Sequence, residues 1–177
     1  MEKFGDKNQG VGEVHELTTF PVLFKLKEIK ENITINTNTP SKPSKEQLIK
    51  LAFKFHSQGN IQEAAKCYQN FMNQGFKDPR VFSNYGIILN SYGKLKEAEV
   101  LFRKAIELKP ESADSYSNLG NLLKDLGKFK EAELSCRKAI ELKPDFSEAY
   151  FNLGIIFKDL GKLQEAENSF RKAIELN

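Results

Sequence analysis

The chain has 177 residues, of which 40% are hydrophobic and 29% are charged, and its net charge at pH 7 is +3. Its 27 basic and 24 acidic residues are interleaved, so it lacks the basic stripe with intervening aromatics that is typical of nucleic-acid-binding proteins. It also lacks an apolar run of the ~18–20 residues that span a bilayer and a secretory signal at its polar N-terminus. We therefore expect a cytoplasmic protein whose partner is neither nucleic acid nor a membrane.

Residues 1–44 are predicted to be a disordered or extended N-terminal leader and linker. Residues 1–16 are polar, a composition typical of disorder, whereas residues 18–35 include two short stretches with the apolar or alternating pattern of strands. Two such stretches cannot form a stable sheet alone. Two interpretations stay open: residues 18–35 lie against the domain that follows, or they belong to a loosely attached leader. Ser44, with Gln47 three residues later, has the pattern of a capping box that starts a helix.

A period of 34 residues organises the rest of the chain. The segment Gly93-Lys-Leu-Lys-Glu-Ala-Glu recurs in nearly the same form from Gly127 and from Gly161, and a degenerate first copy contains Gly59-Asn-Ile-Gln-Glu-Ala-Ala. The last copy stops three residues short of a full unit. The repeat array is predicted at 45–177, with copies at residues 45–78, 79–112, 113–146 and 147–177.

Each copy has the pattern of two helices. In the third copy Tyr116, Leu119 and Leu123 recur at the spacing of one helix face, and a second apolar face begins at Phe129 after an interruption at Gly127. A proline then closes the copy, because proline cannot extend the helix that precedes it. The sequence therefore predicts a helical hairpin that repeats along the chain.

Small residues occur on both predicted faces of the hairpin, where larger side chains would be expected. Gly120 and Ala132 are the examples in the third copy. A glycine inside a helix gives up ~1 kcal/mol of helix propensity relative to alanine. Its presence indicates that the two helices of a pair approach each other closely.

The spacing of the apolar and small residues follows one rule: aromatic-x2-Leu-Gly-x2-aromatic, then Ala-x3-aromatic, then Pro. In the second copy this rule is met, with two substitutions among large side chains, by Phe82, Tyr85, Gly86, Leu89, Ala98, Phe102 and Pro110. The chain thereby resembles the tetratricopeptide repeat (TPR) family. The first copy departs from the rule, since Phe71 replaces the second small residue and Phe76 replaces the proline.

The TPR resemblance implies an all-α fold, a right-handed α-solenoid of about 3.5–4 helix-turn-helix units after an irregular N-terminal leader. No single hairpin can bury its own apolar face, so neighbouring hairpins stack on one continuous core. The resemblance also implies a function as a protein–protein interaction scaffold or adaptor. In that function the concave groove binds an extended peptide segment of another protein.

Asparagines recur on the side of each first helix that lies opposite its apolar stripe. Asn84, Asn118 and Asn152 are one period apart, and Lys50 occupies this position in the first copy. A side-chain amide both donates and accepts hydrogen bonds, so it can bind a peptide backbone whatever the peptide's sequence. Helices ~8–10 Å apart and an extended chain that rises ~3.3 Å per residue would place one asparagine at about every third residue of a bound strand.

Further polar residues lie on the same side of the first helices, between the asparagines or two turns beyond them. The predicted peptide-binding residues are Asn84, Asn118, Asn152, Asn121, Asp125 and Asp159. An alternative is that the asparagine column was inherited by recent duplication of near-identical copies. Against it, a neighbouring position has changed between the copies, from Ser83 and Ser117 to Phe151.

The asparagine column also resembles the asparagine ladder of protein O-GlcNAc transferases, which lines their TPR superhelix and grips substrate backbones. Only Asn84, Asn118 and Asn152 carry this resemblance. It implies an alternative function, in which the chain is the substrate-recognition part of a larger glycosyltransferase. The catalytic domain would then lie beyond these 177 residues.

Residues with catalytic or metal-binding chemistry are few. The two histidines, His15 and His56, and the two cysteines, Cys67 and Cys136, have no spacing that suits a metal. Both cysteines fall on predicted apolar faces, so we expect buried thiols. No catalytic set can be assembled, and we expect no enzyme activity, no cofactor and no metal.

The last copy is followed by no polar capping helix, which solenoids usually need. We expect the last helix pair to expose part of its apolar stacking surface, including Phe157 and Ile174. Three explanations stay open: a truncated reading frame, a missing downstream domain, or end-to-end self-association through this repeat.

Overall fold

The computed structural model describes residues 42–176. The predicted leader lies outside the described residues except at 42–44, and both interpretations of residues 18–35 stay predictions. Within the described range the chain forms eight α-helices and no strand, which confirms the all-α fold class. The helices are α1 (Lys45–Ser57), α2 (Ile61–Asn73), α3 (Pro79–Ser91), α4 (Leu95–Leu108), α5 (Ala113–Asp125), α6 (Phe129–Leu142), α7 (Ser147–Asp159) and α8 (Leu163–Glu175).

The predicted capping box starts α1. Ser44 Oγ accepts a hydrogen bond from the Gln47 backbone N–H at 3.2 Å, and Gln47 Oε1 accepts one from the Ser44 backbone N–H at 2.8 Å. The box satisfies amide groups that have no partner inside the helix. The prediction from these two residues is confirmed.

The turn inside each later helix pair depends on glycine. Gly93, Gly127 and Gly161 have φ angles of +72°, +71° and +73°, in the left-handed region that residues with a Cβ rarely adopt. The second helix of the pair begins two residues after each of them. This backbone requirement explains why glycine recurs at this position of the period.

The first helices of neighbouring pairs form the inner face of the stack. Helix α3 contacts α5, and α5 contacts α7, whereas the second helices of the described residues make no comparable contact with one another. Each second helix instead packs against the first helix of the next pair, as α4 does with α5. A stack in which the first helices are the more closely spaced curves toward them, so the first helices line the concave side.

Gly120 lies at a close approach between α5 and α6, as its sequence context predicts. A Cβ on Gly120 would lie 2.5 Å from Cys136 Sγ and 3.2 Å from the Ala132 carbonyl oxygen. Both distances are shorter than the ~3.5–4 Å at which non-bonded atoms pack best. Cys136 is buried, as predicted, whereas Cys67 is only partly buried.

The exposure predicted for Phe157 is wrong. Its side chain is 4% exposed because it packs into the hydrophobic core. The charged ends of Arg137 and Lys162 also lie over its ring, 5.7 and 5.4 Å from the ring centroid. Ile174 is 76% exposed, as predicted, and Phe151 is 51% exposed. The exposed apolar surface of the last pair therefore includes Phe151 and Ile174, and self-association through it stays a prediction.

Candidate functional site

Two members of the asparagine column (Asn84, Asn118 and Asn152) link neighbouring helix pairs by hydrogen bonds. Asn118 in α5 donates from Nδ2 to Ser83 Oγ in α3 at 3.3 Å, and Asn152 in α7 donates from Nδ2 to Ser117 Oγ in α5 at 3.1 Å. Donor and acceptor are 35 residues apart in both bonds. The bond therefore reaches one period plus one residue back along the chain, and it repeats with the repeat.

Asn84 has no serine at the equivalent position of the preceding pair. The residue that would correspond to the serine is Ile49, which has no side-chain acceptor. The Asn84 side chain instead lies near the hydroxyl of Tyr68 in α2. Tyr68 is fully buried, its hydroxyl also lies 3.1 Å from His56 Nδ1, and its burial raises its pKa to about 12. Asn118 and Asn152 are thus tied to a serine hydroxyl of the preceding pair.

The bonds to serine leave the carbonyl oxygen of the asparagine side chain for other contacts. In Asn118 and Asn152 the amide nitrogen donates to a serine, so the carbonyl oxygen Oδ1 remains as an acceptor. Asn84 and Asn118 are half-buried, whereas Asn152 is only 8% exposed. Asn84 and Asn118 therefore expose more of their side chains than Asn152, which is mainly a link between α5 and α7.

A second cluster joins two other predicted residues, Asn121 and Asp125. Lys124 Nζ lies 3.0 Å from Asn121 Oδ1 and 3.0 Å from Asp125 Oδ1, and the Lys124 side chain is 18% exposed. The lysine therefore neutralises Asp125 and occupies the amide oxygen of Asn121. Asp159 holds the equivalent exposed position in α7 and makes no ion pair with another described residue.

Apolar side chains occupy the neighbouring position of the concave face. Ile87 is 40% exposed, and Phe53 and Ile155, at the same position of other copies, are half-buried. We call these three residues the apolar column. Asn121 holds this position in the third copy, so it interrupts the apolar column with a polar group.

Asn84 also borders an open pocket of about 250 Å³ where the first turns of α3 and α5 approach α1. The Arg80 guanidinium lies 5.5 Å from the Phe53 ring centroid in this pocket and is held by Asp78, with nitrogen–oxygen distances of 3.1 and 2.9 Å. The pocket walls carry the basic residues Arg80 and Lys109 and the acidic residue Asp114. The other lining residues named here are Phe53, Ser83 and Asn84. The predicted residue Asn84 is therefore accessible from the concave side.

Ser83 and Ser117 are partners of the column that the sequence period alone does not reveal. At the sequence level they look like a position that has changed freely, because Phe151 replaces serine in the fourth copy. The sequence signal that could identify these two partners is the serine that directly precedes an asparagine in copies two and three. The offset of one residue between copies depends on how the hairpins tilt against each other, which only the packed structure shows.

Within residues 42–176, no group of three or more His, Cys, Asp and Glu side chains is arranged to hold a metal ion. None of the helices in this range has both the length and the apolar character needed to cross a membrane.

The stacked hairpins and the polar column on their concave face define a TPR-like helical-repeat protein. Residues 48–176 match the family described as the middle TPR-like domain of cilia and flagella-associated protein 70, and the chain belongs to this family. The resemblance to TPR proteins is therefore confirmed, whereas the likeness of the asparagine column to O-GlcNAc transferases stays a prediction. No curated protein matches the sequence.

Solved structures of TPR-like proteins share the fold. A MamA crystal structure superimposes with a TM-score of 0.70 at 25% identity, over 77% of this chain and 80% of that chain. YrrB, described as a TPR protein with an unusual peptide-binding site, gives 0.69 at 18% identity over 77% and 71%. MamA from Desulfovibrio magneticus RS-1 gives 0.69 at 19% identity over 76% of each chain. The last two likenesses concern the fold alone.

Proposed function

We propose that this chain is a protein–protein interaction module, a scaffold or adaptor that binds an extended segment of a partner along the concave face. The observation that carries the proposal is the pair Asn84 and Asn118. Both are half-buried on the concave side, and Asn118 is fixed by its bond to Ser83 with its carbonyl oxygen left over. YrrB, which has a similar fold, is described as binding a peptide, and this supports the same use of the fold here.

Hydrogen bonds to these two amides are not sufficient for binding by themselves. At ~0.5–1.5 kcal/mol net per bond they contribute about 1–3 kcal/mol, whereas association costs ~4–15 kcal/mol. Apolar contacts with the partner must supply the rest. The apolar column offers them beside the asparagines, with Ile87 40% exposed. The proposed interaction therefore combines backbone hydrogen bonds with burial of apolar side chains.

Selection of linear peptides from a displayed random library tests this function. Peptides that bind the wild-type chain are measured by fluorescence anisotropy against Asn84→Ala/Asn118→Ala. The matched control is Asn70→Ala/Asn168→Ala, which removes two exposed asparagines from the second helices α2 and α8. We expect the concave-face variant to weaken binding by about tenfold or more and the control to leave it unchanged.

Two results would contradict the proposal. One is a selection in which no peptide is enriched on the wild-type chain. The other is a set of enriched peptides that bind the concave-face variant and the wild type with equal affinity, which would place the binding surface elsewhere on the chain.

The alternative function, substrate recognition for a larger glycosyltransferase of the O-GlcNAc type, rests on the asparagine column alone. It would use the same concave face and the same residues, with the catalytic domain on a segment outside these 177 residues. The reading frame downstream of the codon for Asn177 separates the two functions.

A further inference from the structure

Two asparagines of α5 use opposite ends of their side-chain amides in hydrogen bonds within the chain. The Asn118 amide nitrogen donates to Ser83 Oγ, so its carbonyl oxygen remains as an acceptor. The Asn121 carbonyl oxygen accepts from Lys124 Nζ at 3.0 Å, so its amide nitrogen remains as a donor. Both side chains are half-buried on the concave face. The third copy therefore presents one fixed acceptor and one fixed donor side by side.

The spacing of this pair matches one residue of an extended peptide. Residues three apart on a helix have Cβ atoms ~5–6 Å from each other, which places Asn118 and Asn121 on neighbouring turns of one face. In an extended chain the N–H and C=O of a single residue point to the same side, as in the residue pairs of an antiparallel sheet that exchange both bonds. One peptide residue can therefore donate to Asn118 and accept from Asn121.

Only the third copy carries this pair among copies two to four. The position of Asn121 is taken by Ile87 in the second copy and by Ile155 in the fourth. Both isoleucines belong to the apolar column and flank Asn121 on the concave face. The polar pair is thus centred between two apolar contact points, an arrangement that breaks the symmetry of the repeat.

We propose that the third copy sets the register of the bound segment, with Asn118 and Asn121 holding both backbone groups of one residue while Ile87 and Ile155 receive aliphatic side chains on either side. This inference rests on the proposed function and specifies the ligand. Neighbouring helices lie ~8–10 Å apart, so the isoleucines are about 16–20 Å apart. At ~3.3 Å per residue this span corresponds to about five or six residues, and only a separation of about six puts both aliphatic side chains of the partner on one face.

Synthetic 12-residue peptides test the spacing. Each has two leucines, separated by three, five, six or eight positions, in a background of serine, threonine and alanine. Binding is followed by ¹⁵N NMR titration of the whole chain. We expect a spacing of six to bind at least fivefold tighter than three, five and eight, because only six reaches both isoleucines with the two side chains on one face of the extended chain. Equal affinity across the series would overturn the proposed partner chemistry.

Single backbone substitutions test the two-bond contact. Replacing one peptide bond of the best peptide by an ester removes one N–H, and we expect one central position to weaken binding by about tenfold in the wild type. The same ester should not weaken peptide binding any further in the Asn118→Ala variant. Asn121→Ile, which installs the residue that copies two and four carry, should also weaken the unmodified peptide while the helix content by circular dichroism is unchanged.

The outcomes separate the two proposals. If peptides bind but every central ester is equally tolerated, the register contact is wrong and the interaction function still stands. The same holds if Asn121→Ile binds the peptides as tightly as the wild type does. If none of the peptides binds and the library selection also fails, both proposals are wrong.

Discussion

Asn152 in α7 donates a hydrogen bond to Ser117 in α5 at 3.1 Å, and both residues are buried, at 8% and 0% exposure. The same bond between Asn118 and Ser83 is only part-buried. The two links are chemically identical but differ in access to water, so we assign Asn152 a structural role and keep Asn118 for the proposed contact with a partner.

Ser117→Ala is expected to destabilise the chain by about 1–3 kcal/mol, because it leaves the buried Asn152 amide without an acceptor. Ser83→Ala is the matched control and should cost about 1 kcal/mol or less, since water can reach Asn118. Urea denaturation followed by circular dichroism measures both. Equal, small losses for the two variants would show that burial does not distinguish the links.

Gly120→Ala is expected to destabilise by about 1–3 kcal/mol through overpacking, despite the gain of ~1 kcal/mol in helix propensity. The new Cβ would lie 2.5 Å from Cys136 Sγ. In a Cys136→Ala background the loss should be smaller, because the sulfur is gone. A thermal denaturation double-mutant cycle gives the coupling. An additive cycle would mean that the contact with Cys136 is not the cause.

Glu99 in α4 forms an ion pair with Lys128, the residue directly before α6 of the next pair. Its hydrogen bond with Arg103, together with Lys128 at 3.0 Å, lowers its pKa. A carboxyl group with a lowered pKa in the folded state stabilises the fold above its unfolded pKa of about 4.3 and loses that contribution as pH falls through the lower folded value.

Glu99→Gln should therefore cost about 0.5–1 kcal/mol at pH 7 and should cost progressively less below pH 4. Urea denaturation between pH 7 and pH 3 measures the difference from wild type. Glu63→Gln is the control, because its exposed pair with Lys66 lies within one helix; its effect should stay within about 0.5 kcal/mol. A pH-independent effect of Glu99→Gln would contradict the assignment.

The two cysteines should differ in reactivity. Burial raises the pKa of the Cys136 thiol to about 12, and Cys136 is fully buried, whereas Cys67 is partly exposed. Because the thiolate is the reactive form, iodoacetamide at pH 8 should modify Cys67 at least tenfold faster. Mass spectrometry of timed samples measures both sites. The modification rates of the two cysteines in urea serve as the reference and should be equal. Comparable modification rates in the native state would show that α6 opens readily.

Short-range chemistry made much of the fold predictable. The capping box at Ser44 involves residues three apart, and the turn glycines are required by the backbone itself, so both appear in the sequence without knowledge of the packing. Gly120 was also informative, because a glycine that costs helix propensity needs a steric reason. The stacking of hairpins follows from an apolar face that no single hairpin can bury.

The candidate site was less predictable. The asparagine column was visible from its period, but its bonds to Ser83 and Ser117 cross between pairs with an offset of one residue. The exposure of Phe157 was predicted wrongly because the core and two charged side chains cover its ring. Which group of the Asn121 amide is already hydrogen-bonded depends on the position of Lys124 Nζ.

The sequence by itself determined that the chain is a stack of TPR-like hairpins with polar residues on their inner side, since helix period, turn glycines and small contact residues act within a few residues of each other. Only the tertiary structure decided that Asn152 is a buried link and which amide groups of Asn118 and Asn121 are left for the proposed partner. Those properties depend on the tilt and offset between neighbouring pairs, which arise when the apolar faces pack.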